Sequence, residues 1–195
     1  ALAAHGTMLH MINHSLIKLV LFLCAGVIYM NTHELDLNKI RGFGRKKPYL
    51  AGCFLAGALA IGGIPLFSGY ISKTLLHESI LEYGGGGWMK FLEIVFIFSG
   101  GLTIAYMTKL FVTVFAETNT DEALQRSYDE KKYYMTPASA VAVGIPAVIL
   151  LLWGWMPHRL MDTVADLGSG FFALEESGEA VHYFSRENLL GAVYS

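Results

Sequence analysis

Charged residues are scarce in this sequence. They fill 15% of its 195 positions, against about 25% in an ordinary soluble domain. Hydrophobic residues fill 54%, and the mean hydropathy is +0.46, so the deficit points to a membrane protein before any segment is read. An excess of one sign of charge is also missing. The formal net charge of −2 excludes the broad basic surface that nucleic-acid binding needs. Cysteine is nearly absent. Cys24 and Cys53 sit inside apolar runs with no partner motif, which reads as small core residues and not as a disulfide or a metal site. There are no CxxC pairs and no glycine-rich nucleotide loop, so no cofactor is expected. Nor does a charged segment precede a cleavage site near the start, which excludes a signal peptide over residues 1–30.

What the chain does have is long apolar runs. Residues 2–31 exceed the ~20 residues that a membrane span needs. The polar stretch "NTHELDLNKIRGFGRKKP" (31–48) is interrupted by glycine and closed by proline, and predicts a loop. Residues 49–83 are too long for one span. As a single helix they would run ~52 Å, far beyond a ~30 Å hydrocarbon core. In their middle lies "GGIPLFSG" (62–69), where the glycines loosen the backbone and Pro65 removes a donor. This predicts a discontinuous helix, about 49–63 and then 66–83. After "GGGG" (84–87) come a span at 88–116, a charged loop at 117–135, and a span at 136–156 with Pro137 at its start. Residues 157–187 are polar, and another apolar helix begins at 187–195. The expected fold is all-α: one polytopic transmembrane helix bundle over 1–195, with a single broken helix, cut from a longer protein.

If the broken helix crosses once, the 31–48 and 117–135 loops share a side. They hold Lys39, Arg41, Arg45, Lys46, Lys47, Arg126, Lys131 and Lys132, while the other side has Lys90, Arg159 and Arg186. Eight against three places the two loops in the cytoplasm, because basic loops stay inside.

Titratable residues within the spans are the candidates for function. His10, His14 and Lys18 step by four and share one helix face. A lysine near the bilayer centre costs roughly 2.5–3.5 kcal/mol even on lenient scales, and such residues normally line an ion or proton path. The bland alternative is a snorkelling lysine with histidines satisfied by helix–helix hydrogen bonds, but Lys18 lies too deep to reach the surface easily. A metal site is the competing chemistry for His-x-x-x-His. Met11 stands where a zinc protease would carry glutamate, however, and a lysine one turn on would repel a cation, so no metal is expected. Lys73 follows the Gly/Pro break. Irregular backbone at membrane depth survives only when buried or lining a wet cavity, and transporters place ion sites at such breaks. His77 and Glu78, a turn further on, either hand protons toward the surface or are plain solvated residues. Lys109 is close enough to its helix end to snorkel and is an even choice between relay and surface residue.

Two linked motifs carry a resemblance. "HMINHSLIKLVLFLCAGVIY" followed by "GFGRKKPYLAGCFLAGALAIGGIPLFSGYISKTLL" resembles the second half of antiporter-like, proton-translocating membrane subunits. That family includes the large membrane subunits of complex I (NADH–quinone oxidoreductase), their membrane-bound hydrogenase counterparts, and the large subunits of multi-subunit cation/proton antiporters. The resemblance covers residues 1 to about 116, and "RENLLGAVYS" more loosely; 117–186 departs from it. It implies that His10, His14 and Lys18 belong to a hydrated polar axis and that Lys73 is the terminal proton-transfer group on the broken helix. It implies no catalytic site and no redox cofactor in the chain itself, with other membrane subunits and the bilayer as partners, in a bacterial or archaeal cytoplasmic membrane. The family's earlier inverted repeat, with its Glu–Lys pair, has no counterpart here. Proton translocation within a redox-driven complex is therefore the expected function, with a sodium/proton antiporter subunit and a non-transporting scaffold as alternatives.

Overall fold

A computed structural model describes residues 2–83 and 86–156 together with Thr163 and Tyr183. Every regular element among them is a helix. In chain order these are α1 (Leu2–Thr32), α2 (Leu37–Ile40), α3 (Pro48–Gly62), α4 (Ser68–Glu82), α5 (Gly86–Phe111), α6 (Glu122–Glu130) and α7 (Pro137–Trp155). The helix expected from 187 onward lies outside the described residues.

Among the described residues, three helices are long and apolar enough to cross a membrane: α1, α7, and α5 with its π-helical end Val112–Ala116. The broken pair α3 and α4 runs antiparallel to α1. Gly57 of α3 packs on Val20 and Leu21, Gly69 of α4 faces Ile17, and Gly6 meets Leu75 and Leu76. Moving forward along α3 and then α4 thus steps backward along α1. Small residues allow this closeness, as they do generally between helices in lipid. A side chain at Gly69 would overlap the Ala60 carbonyl.

The break lies where the glycines and proline predict it. Gly63 ends α3 with φ +79°, its N–H donating to Ala60 O at 3.0 Å while Ile64 N–H donates to Leu59 O at 3.1 Å. This left-handed cap satisfies two of the carbonyls that a helix C-terminus leaves free. The chain is extended at Phe67 and becomes helical again at Ser68.

The two basic segments meet at one end of the bundle. The N–H groups of Gly42 and Gly44 donate to Thr113 O (3.0 Å) and Val114 O (2.9 Å) at the π-helical end of α5. The Asn119 side-chain amide donates to Lys39 O at 2.9 Å and Arg41 O at 3.1 Å. The 117–135 segment, expected as a loop, contains α6. Asp121 caps it by accepting from Ala123 N–H and Leu124 N–H, the usual way that an aspartate starts a helix. Tyr128 of α6 is buried against Phe43, edge to face.

Candidate functional site

α1, α4 and α5 enclose a cavity of about 270 Å³ beside the break, room enough for several waters. α1 contributes His10, His14 and Lys18; α4 contributes Tyr70, Lys73, Thr74 and His77; α5 contributes Phe96, Ser99, Gly100, Thr103 and Tyr106. Ile61 and Gly63 form its wall at the end of α3.

The α1 stripe faces this space because its four-residue steps keep it on one side, while Leu9, Ile17 and Val20 on the neighbouring positions are buried. The His10 and His14 rings stack with centroids 5.8 Å apart. His10 Nδ1 lies 3.1 Å from Ser72 Oγ. The Ser72 hydroxyl donates to Gly69 O at 3.2 Å, so its oxygen accepts from His10 Nδ1–H. That arrangement leaves Nε2 as the acceptor nitrogen of the ring.

Lys73 reaches back across the break, its Nζ donating to Gly62 O at 3.0 Å. Gly62 O belongs to the C-terminal end of α3, where free carbonyls and the helix dipole favour a cation. Gly63 makes the approach possible. A Cβ there would stand 2.6 Å from Lys73 Cδ and 3.2 Å from Nζ. The break therefore supplies both the lysine's acceptor and the space for its stem.

Of the seven sequence candidates, His10, His14, Lys18, Lys73 and His77 come together around the cavity. Glu78 is half-buried and does not line it, and Lys109 is exposed on α5. Sequence reasoning missed several polar residues. Asn13 is fully buried, and its amide donates to Ser68 O at 3.0 Å, tying α1 to the start of α4. Ser72 holds His10 as described. Ser99, Thr103 and Tyr106 recur at i, i+4 and i+7 on α5, a polar stripe that helical spacing makes visible. Glu93 was also passed over, although its Oε1 lies 3.6 Å from His77 Nε2.

Another lysine is buried away from the cavity. Lys47, just before α3, is 1% exposed. Its Nζ donates to Phe43 O at 2.7 Å and Tyr128 O at 2.9 Å and lies 4.2 Å from the centroid of the Phe43 ring. Burial pushes its ammonium down to about 8, against the opposing pull of Asp129.

Known proteins extend this picture. The family profile described as NADH:quinone oxidoreductase/Mrp antiporter, TM, matches residues 1–116. Formate hydrogenlyase subunit 3 of Escherichia coli is 30% identical over 130 residues, covering 63% of this chain and 21% of that protein. NADH-quinone oxidoreductase subunit L of Rhodobacter capsulatus is 31% identical over 151 residues, covering 70% of this chain and 21% of that protein. NADH-ubiquinone oxidoreductase chain 5 of Metridium senile is 29% identical over 192 residues, covering 92% of this chain and 32% of that protein. The chain thus spans between about a fifth and a third of the length of these curated relatives. The matched residues contain the whole cavity lining, from His10 to Tyr106, and the chain belongs to the antiporter-like membrane subunit family of NADH:quinone oxidoreductases and Mrp antiporters.

Proposed function

We propose that this chain carries protons across the membrane as part of an antiporter-like subunit of a redox-driven complex, of the NADH–quinone oxidoreductase or hydrogenase type. The observation that carries the reading is the cavity at the break, where two lysines and three histidines from antiparallel helices share one space. Lysines this deep are costly and are kept where they face a path. Histidine relays protons because one ring nitrogen accepts while the other donates. Lys18 and Lys73 act as the reservoirs, with His10 and His14 as the relays of the α1 stripe. The acceptor Nε2 of His10 and the carbonyl-bound ammonium of Lys73 are complementary ends for a water-borne transfer.

Protons suit the site better than sodium. No carboxylate is among the described residues that line it, whereas hard cations take oxygen ligands and carboxylates by preference. The relatives' names, NADH-quinone oxidoreductase subunit L and hydrogenase-4 component B, support a redox complex with other membrane subunits as partners. The exposed apolar residues Phe91, Ile94, Phe98 and Leu102 on α5 suit lipid or such a subunit. The basic residues of the paired loops support a cytoplasmic position for that end.

Lys18→Ala and Lys73→Ala in the full-length protein, assembled and reconstituted in vesicles, are the test. Electron-driven proton uptake is expected to fall to background while assembly persists. Pumping that survives both substitutions overturns the proton path in favour of a scaffold. Proton movement driven by a sodium gradient without an electron donor would instead indicate an antiporter.

A further inference from the structure

His77, which lines the cavity, is paired on its other side with a carboxylate outside the lining, Glu93, that the proposed path does not yet use. His77 Nε2 is buried and has no hydrogen-bond partner. The polar group it faces is Oε1 of Glu93, at 3.6 Å. Phe96, three residues beyond Glu93, lies parallel to the imidazole at 6°, with ring centroids 5.8 Å apart. Stacking on Phe96 holds the ring with Nε2 toward the carboxylate, and His77 is among the residues that line the Lys73 cavity. His77 stands one turn after Lys73, on the same helix face. The two side chains are exposed by 20% (His77) and 31% (Glu93), so both are partly accessible from outside.

Glu93 is costly where it stands. It occupies α5 between the exposed apolar residues Phe91, Ile94 and Val95, and an acidic group among such residues needs a partner or a function. The pair also lies in a defined half of the membrane. Gly62, at the break, packs against Ile104, and Glu93 lies eleven residues nearer the start of α5. Since α5 ends at the paired basic loops, Glu93 lies on the opposite side of the break.

We propose that Glu93 is a proton-transfer residue, paired with His77 as the outlet that connects the Lys73 cavity to the membrane face opposite the basic loops. The inference rests on the proton-path reading and extends it by one step. In the proposed transfer, a proton leaving the Lys73 ammonium reaches Nδ1 of His77 through water. Nε2–H then passes its proton to the Glu93 carboxylate, giving a neutral acid that releases the proton to the aqueous face and returns as carboxylate. Lys73 is left as the free amine. The imidazole is left as its other tautomer, and proton exchange through the cavity water resets it before the next transfer. No oxidant or co-reactant is needed, because charge and protons balance at each transfer. Other titratable groups near the pair are His10 and His14 across the cavity, Glu78 beside His77, and Lys90 one turn before Glu93.

The test uses the full-length protein in its assembled complex, reconstituted in vesicles, with electron transfer and proton uptake measured together. Glu93→Gln keeps the shape and hydrogen bonding of the side chain but cannot ionise. It is expected to lower proton uptake per electron by roughly tenfold or more with assembly intact, and Glu93→Asp to restore most of it. A purely structural role for Glu93 would leave Glu93→Gln pumping normally, and that result overturns the proposal. Where Glu93→Gln does not assemble, His77→Gln decides: it still donates to Glu93 but cannot relay, so the same loss is expected and normal pumping overturns the proposal. Lys18→Ala and Lys73→Ala separate the two levels. If they abolish pumping and Glu93→Gln does not, the outlet alone is wrong. Normal pumping in both lysine variants overturns the proton path and the outlet with it.

Discussion

Lys73 and Lys47 are both lysines drawn inward to backbone carbonyls, and they sit in opposite kinds of surroundings. Lys47 is sealed at the loop end, with two carbonyl acceptors and the face of Phe43. Lys73 has one carbonyl, at a helix break, and the rest of its ammonium faces a cavity shared with His10, His14, Lys18 and His77. An ammonium has three donors. At Lys47 two go to carbonyls and the ring lies over the charge, so no donor remains for water or a second titratable group. At Lys73 a single bond leaves two donors for the cavity. Burial alone therefore does not distinguish the two lysines; what else the ammonium can reach does.

The sharpest way to break this comparison is to remove each amine. Lys73→Ala is expected to abolish proton uptake in reconstituted vesicles while the complex assembles. Lys47→Ala is expected to do the reverse. It leaves the Phe43 and Tyr128 carbonyls without their donor, at about 1–3 kcal/mol each, so the thermal unfolding temperature falls while uptake per assembled complex stays at the wild-type level. Lost uptake with unchanged stability in Lys47→Ala would show that Lys47 is not the sealed structural residue described here.

A smaller effect is expected from Gly63→Ala. The methyl group would meet the Lys73 stem 2.6 Å away at a φ of +79°, and left-handed backbone costs a residue with a side chain about 1–2 kcal/mol. Uptake should drop several-fold without disappearing, because Lys73 is displaced and not removed; wild-type uptake would mean that its position at Gly62 O does not matter. Ser72→Ala should cost less. It removes the acceptor of His10 Nδ1–H, a hydrogen bond worth about 1 kcal/mol, and the expected loss of uptake is at most about fivefold. A loss as complete as that of Lys73→Ala would make Ser72 a member of the path and not a support for it.

The last prediction touches activity least. Lys47 should lose its proton near pH 8, where exposed lysines remain charged, and nitrogen NMR of labelled lysine would detect it. Its folded value, about 8, is below the ordinary lysine value of 10.5. Below pH 8 both folded and unfolded chains hold the proton, so the penalty for burying the charge is fully present. Between pH 8 and 10.5 the folded chain sheds it and the unfolded chain does not, so this group's contribution to stability rises with pH. The neutral amine still has two N–H groups for its two carbonyls, so the cage should persist. A value near 10.5 would show that the site is wetter than its 1% exposure indicates.

Much of this architecture was legible in advance, for reasons that can be named residue by residue. Apolar runs of span length, and glycines with Pro65 inside one of them, have one economical reading in a bilayer, because every backbone donor must be satisfied within the segment or at a wet break. Four-residue steps made His10, His14 and Lys18 a single stripe. Lys47 was counted only as one basic loop residue, since nothing local distinguishes a lysine facing water from one facing two carbonyls contributed by Phe43 and the distant Tyr128. α6 was read as loop because of its charge, although Asp121 followed by Glu122 is a recognisable start signal. Glu93 was passed over because its partner lies on another helix.

By itself the sequence determined the long apolar helices, the place of the break and the face that holds the charges, because these depend on hydrophobic length, helical period and the backbone chemistry of glycine and proline. Only the tertiary structure decided which charges share a space. The pairings of Lys73 with Gly62 O, His10 with Ser72, and His77 with Glu93 join residues between eleven and sixty-two positions apart, and helix period alone predicts none of these contacts. Distances across a packed bundle follow from how small residues such as Gly57, Gly63 and Gly69 let helices approach, and that is a property of the assembled fold.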